Sequence, residues 1–119
     1  MNLNKTIIAG RLTRDPELKA LPNGNAVAEL SVAVNQRAKK REEWIDETIF
    51  LDVTVWGRQA ENASQYLKKG SVVLVEGRLR METWEDKETG AKRSKIKITA
   101  QSLQFGPKQS DQSGDQIPF

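Results

Sequence analysis

The sequence contains no cysteine and no histidine. The first absence rules out a disulfide framework and a thiolate metal site. The second removes the commonest general base and the commonest imidazole ligand together, and with them zinc chemistry and His-dependent hydrolysis. There is no apolar run of membrane-spanning length. The N-terminal stretch "MNLNKTIIAGRL" lacks the long apolar segment and small-residue cleavage site of a secretory signal, so a cytoplasmic location is expected. No P-loop, no G-x-S-x-G and no cluster of metal ligands is present. The carboxylates are scattered among lysines and arginines as surface pairs are. The expectation is a chain that is not an enzyme and takes no cofactor and no metal. No internal repeat is found.

What remains is a chain of 119 residues, the length of one small domain, with a formal net charge of +3. A mild basic excess suits nucleic acid and also many ordinary proteins. Its distribution says more. From Pro107 onward Lys108 stands against Asp111 and Asp115, so the body is more basic than the whole and the tail has the opposite sign.

Several runs read as strands: 5–12, 26–35, 48–57, 71–84 and 94–100, with β-branched residues, alternation, and turn chemistry in "PNGN" and "ETGAK". One segment breaks the pattern. In "GRQAENASQYLKKG", Ala60, Ala63 and Leu67 fall at helical spacing, with Lys68 and Lys69 suited to a helix C-terminus and Gly70 to its cap. Five β segments, one short helix and glycine-marked bends describe an all-β, five-stranded Greek-key barrel of the OB type, with a small sandwich as the alternative. Residues 1–105 form the expected domain. From Gly106 the composition turns to Gly, Pro, Gln, Ser and Asp without periodicity, so residues 106–119 read as a disordered tail.

Strand parity locates a candidate surface. Leu51, Val53 and Val55 share one face of the third run, which must be the core side. Phe50 and Trp56 then share the other with Asp52 and Thr54. Aromatic rings on a polar face suit base stacking, which tolerates sequence because every base has a π-face. The pattern alone leaves a second use open, packing under a loop or in a subunit interface. In the next run Val73, Val75 and Leu79 are expected inside, with Arg78, Arg80 and Trp84 outside. Arginine beside exposed rings couples phosphate binding to stacking. "WEDKETGAKR" reads as a hairpin loop and "NQRAKKREEW" as a second basic loop. A charge run is ordinarily a solvated surface. Two such loops, each next to a tryptophan and flanking one aromatic face, favour a groove for a polyanion.

The ordered motifs N-x-x-x-x-G-R-L, D-P-E-L, P-N-G, W-G before the helix, Y-L-K-K-G and V-E-G-R-L, together with the terminal "IPF", resemble the bacterial single-stranded DNA-binding protein family. The resemblance covers about residues 1–105 and then the tip. It implies an OB barrel, usually a homotetramer, that binds single-stranded DNA in replication, recombination and repair, close to the nucleoid. By position it assigns stacking to Phe50, Trp56 and Trp84, and phosphate contacts to Lys5, Arg58, Lys69, Arg80 and Lys19. Asp52 and Glu82 stand where some members are basic, which would weaken the groove slightly. The family's aromatic early in the second loop is missing from Arg37–Arg41, and Trp44 lies just beyond. For the tail the resemblance implies a peptide that docks replication, recombination and repair proteins through Asp115, Ile117, Pro118 and Phe119. The run of aspartates usual in that peptide is reduced here to Asp115 followed by Gln116. A related OB-fold primosomal accessory or RNA-binding module is the alternative reading.

Overall fold

The computed structural model describes residues 1–106. The tail tip, with Asp115, Ile117, Pro118 and Phe119, lies outside the described residues. In chain order the elements are β1 (Thr6–Leu12), β2 (Glu17–Ala20), β3 (Ala26–Lys40), β4 (Glu43–Trp56), α1 (Arg58–Tyr66), β5 (Val72–Glu85) and β6 (Lys92–Phe105). The strands run in the spatial order β1-β5-β6-β4-β3-β2, and β1 also pairs with β3. That last pairing, Arg11 with Ala33 and Leu12 with Val32, closes β1, β5, β6, β4 and β3 into a five-stranded barrel. The seam between β4 and β6 is parallel and short, with Val53 opposite Ile98 and Thr54 opposite Thr99. This is the OB barrel the sequence leads one to expect.

Alternation builds the core. Leu30, Val32, Val53, Val55, Val73, Val75 and Ile98 are fully buried, one or two from each long strand. Each such side chain contributes about 1.5–3 kcal/mol by leaving water. Ala60 and Ala63 of α1 and Leu67 just past it join the same cluster. They lie on one helix face and plug the barrel end against β2, β3 and β4. Two glycines let backbones approach closely: a Cβ on Gly10 would collide with the Ala33 carbonyl, and one on Gly77 with the Thr99 carbonyl.

The structure corrects the sequence reading in four places. Glu17–Ala20 forms a strand, β2, hydrogen-bonded to β3 with every residue exposed. The basic segment 35–44 is not a loop. It is the far half of a ribbon in which β3 and β4 stay paired from Val27–Trp56 to Lys40–Glu43. A two-residue turn closes the ribbon, with Arg41 and Glu42 both at positive φ. Third, α1 ends at Tyr66 with Leu67 as its C-cap, so Lys68 and Lys69 lie beyond the helix and Gly70 instead donates its N–H to Leu12 O. Fourth, Leu79 is 45% exposed rather than in the core. Pairing between β5 and β6 slips at Glu76/Gly77, leaving Gln101 unmatched, and β1 ends its pairing with β5 at Thr6–Gly77, so Leu79 has β6 on one side only.

Candidate nucleic-acid interface

The outer face of the barrel carries the side chains whose parity opposes the core. On β4 these are Phe50, Asp52, Thr54 and Trp56, opposite Ala33, Ser31, Glu29 and Val27 of β3. Phe50 is 68% exposed and Trp56 43%. β2 adds one more rung, since Lys19 pairs with Val27, which pairs with Trp56. On β5 and β6 the same logic sets Arg80 opposite Lys97, Glu82 opposite Lys95, and Trp84 opposite Arg93. Trp84 is 43% exposed.

The side chains of these two parts of the barrel wall enclose an open groove of about 450 Å³. Trp56, Arg80 and Lys19 line it together with Glu29, Glu82 and Lys97. Three residues assigned from sequence are thus brought to one concavity. Phe50 lies further along the same face of β4, and Trp84 further along that of β5. The other assigned cations stand elsewhere. Lys5 precedes β1 and pairs with Glu76 across 3.1 Å. Arg58 opens α1, exposed, immediately after Trp56 and Gly57. Lys69 follows the helix, where its backbone N–H donates to Asp15 Oδ1 at 2.8 Å and its side chain is exposed.

Sequence reading missed the charged floor of the groove. Lys97 Nζ lies 2.9 Å from Glu82 Oε2 and 3.5 Å from Glu29 Oε2. Glu29 in turn accepts a hydrogen bond from Thr54 Oγ1 at 3.0 Å. Alongside, Lys95 is paired with Asp52. The hydrogen bond from Lys97, and then its charge, hold the Glu82 carboxyl below the usual carboxylate range. Reciprocally, the bond to Glu82 raises the Lys97 ammonium above its ordinary value, with partial burial opposing and Glu29 adding. Alternation in "SKIKITA" already puts Lys95 and Lys97 on one face, the signal that could have found them. Their partners come from strands far away in sequence.

Beyond Trp84 the β5–β6 turn is closed by Asp86, whose carboxylate accepts the Glu88 N–H at 2.9 Å and the Arg93 Nε–H at 3.0 Å. Those bonds, the backbone one first, lower the Asp86 carboxyl below its ordinary value. They order the loop next to the Trp84 ring.

Chemically, the face offers flat rings for stacking, cations for phosphate oxygens, and acceptor carboxylates among them. Among the described residues no group of three or more acidic side chains is arranged to hold a metal ion. Nor is any described helix long and apolar enough to cross a membrane.

Comparison with known proteins bears on the family and the fold. Residues 3–106 match the model of the single-strand binding protein family. The chain is 50% identical over 117 residues to a single-stranded DNA-binding protein of Helicobacter hepaticus, covering 98% of this chain and 67% of that protein. It is 53% identical over 103 residues to one of Wolinella succinogenes, covering 86% and 63%. A solved deletion mutant of the single-stranded DNA binding protein from Thermus aquaticus superposes with a TM-score of 0.77 at 30% identity, covering 87% of this chain and 50% of that one. The chain thus spans about two thirds of the length of the curated relatives it matches and half of the solved one.

Proposed function

The chain belongs to the single-strand binding protein family, and we propose that it binds single-stranded DNA with little sequence preference, by stacking on Phe50, Trp56 and Trp84 and by phosphate contacts from Arg80, Lys19, Lys5, Arg58 and Lys69. The observation that carries the reading is the groove in which Trp56, Arg80 and Lys19 converge on the face opposite the core. OB-fold single-strand binders are the type case of this pairing of rings and cations. Duplex hides base faces and leaves only the phosphate term. The function needs no turnover: holding the strand protects it during replication, recombination and repair.

In this reading the protein works as a homotetramer at the nucleoid. The segment containing Asp115, Ile117, Pro118 and Phe119 recruits partner proteins, its ring entering an apolar pocket and its acid meeting basic side chains.

The test is a fluorescence titration with oligo(dT), with a duplex of equal length at the same salt, on protein of measured mass. Binding of the single strand well above the duplex, weakening steadily with salt, is expected. Equal affinity for the two overturns the reading, and comparable affinity for RNA and DNA strands favours the RNA-binding alternative. For the tip, Phe119→Ala should abolish capture of a helicase or exonuclease from the same source while DNA affinity is kept. Capture equal to wild type removes the docking role.

A further inference from the structure

The function proposed above makes no use of Trp44. This ring lies near the end of the β3–β4 ribbon, beyond the barrel, where no core exists for it to join. It is 59% exposed. β4 pairs with β3 without a register break from Glu43 to Trp56, so its even-numbered residues keep to one side of the ribbon. Trp44, Phe50 and Trp56 therefore share a side, at intervals of six residues.

Two cations, Arg37 and Lys39, and one carboxylate, Asp46, stand on the same side of the ribbon as Trp44. The Arg37 guanidinium lies over the ring, 5.5 Å from its centroid. Asp46, on the same side and opposite Arg37, holds that guanidinium with Nε 3.6 Å from Oδ1. Lys39 is directly opposite Trp44. The guanidinium occupies one face of the indole and limits its rotamers, and the exposure leaves the other face to solvent. An ordered ring with one open face and Lys39 across from it has what a stacking site for a nucleobase needs: little entropy left to lose and a cation for an adjacent phosphate.

We propose that Trp44 is a further base-stacking site, which carries a bound single strand out of the groove and along the β3–β4 ribbon. This rests on the single-strand binding proposed above. Six residues of strand span about 20 Å, so an oligonucleotide that only fills the groove does not reach Trp44, and a longer one does.

The experiment compares wild type, Trp44→Ala, Trp44→Phe and Trp56→Ala on oligo(dT) of about 6 and about 30 nucleotides, lengths near the lower end of the site sizes of single OB folds and well above them. Trp44→Ala should weaken the long oligonucleotide about tenfold and leave the short one unchanged, with Trp44→Phe restoring most of the loss. In a Trp56→Phe/Trp84→Phe background, fluorescence from Trp44 alone should be quenched by the long strand and not by the short. If Trp44→Ala binds both lengths as wild type does, or loses both equally, the inference is overturned. A change in oligomeric mass with DNA affinity intact overturns it too, and marks the ring as a contact between copies. Should wild type and Trp56→Ala alike fail to bind either length, the single-strand reading itself falls.

Discussion

Lys97 lies between two carboxylates in the floor of the groove, 2.9 Å from Glu82 and 3.5 Å from Glu29. A cation in that position serves the protein before it serves a phosphate. The basic residues facing the groove therefore overstate its attraction for DNA. Glu82→Gln removes one anion and loosens Lys97 without changing side-chain size. Glu82 is about half exposed and solvent screens its side of the pair, so the gain is modest, about two- to fivefold in single-strand affinity. If the freed ammonium takes up a phosphate, the slope of log affinity against log salt steepens by up to about 0.7. Glu29→Gln/Glu82→Gln should go further. Titration at several salt concentrations decides it, and a lower affinity for Glu82→Gln shows that the carboxylate helps the strand.

The same pair gives a pH dependence whose sign follows from the direction of each shift. Glu82 is lowered by Lys97, so its contribution to stability is complete above the ordinary glutamate range, about 4.3, and is lost as pH falls through the lowered value. Lys97 is raised by Glu82, so its contribution is complete below the ordinary lysine range, about 10.4, and is lost as pH rises through the raised value. Between these limits the pair adds no slope. Thermal unfolding of wild type and Glu82→Gln should therefore differ by a constant amount across neutral pH and converge in acid. A difference that keeps growing below the glutamate range contradicts the assignment.

How far such relationships can be read from sequence depends on whether they are local. The parity that puts Phe50 and Trp56 opposite Val53 and Val55 was legible because β4 is long and unbroken. The misplaced Leu79 shows the limit. It keeps the parity of Val73 and Val75, but β1 stops pairing with β5 at Gly77, so no neighbouring strand covers Leu79 on that side. β2 went unseen because "ELKA" has no apolar alternation and is held by backbone bonds to β3. The ribbon at 35–44 went unseen because Arg41 and Glu42 occupy a turn usually marked by Asn-Gly. The Glu29–Lys97–Glu82 cluster joins β3, β6 and β5, and nothing short of the folded barrel brings those positions together.

Trp56→Ala and Trp84→Ala should each weaken single-strand binding by about 1–3 kcal/mol, the usual worth of one stacked base. Both rings are 43% exposed, so the cost in stability should fall well short of the ~3–5 kcal/mol of a buried Trp→Ala. Denaturant unfolding and titration on the same preparations separate the two effects. A variant that loses stability on the larger scale while its folded fraction binds normally would move that ring from the interface to the core.

Gly77 connects the fold to the interface. The slip in β5–β6 pairing occurs at this residue, and Arg80, Glu82 and Trp84 all lie on the segment that follows. A Cβ at Gly77 would run into the Thr99 carbonyl and stand 3.1 Å from the Ala100 Cα. Both obstacles are backbone, so no side-chain rotation relieves them, and the two strands must move apart. Overpacking of this kind costs about 1–3 kcal/mol or more. Gly77→Ala should accordingly lower stability by at least that amount. The displacement falls on the hinge that aims Arg80 and Trp84, so the protein still folded should bind single strands more weakly than wild type, although no contacting side chain has been changed. Ala33→Ser, at a half-buried outer-face position of β3 opposite Phe50, is the control that changes neither the hinge nor the ring. The measurement is oligo(dT) affinity scaled to the folded fraction from circular dichroism. Full affinity per folded molecule in Gly77→Ala would mean that the bend serves barrel closure alone and that the interface tolerates movement of the β5–β6 segment.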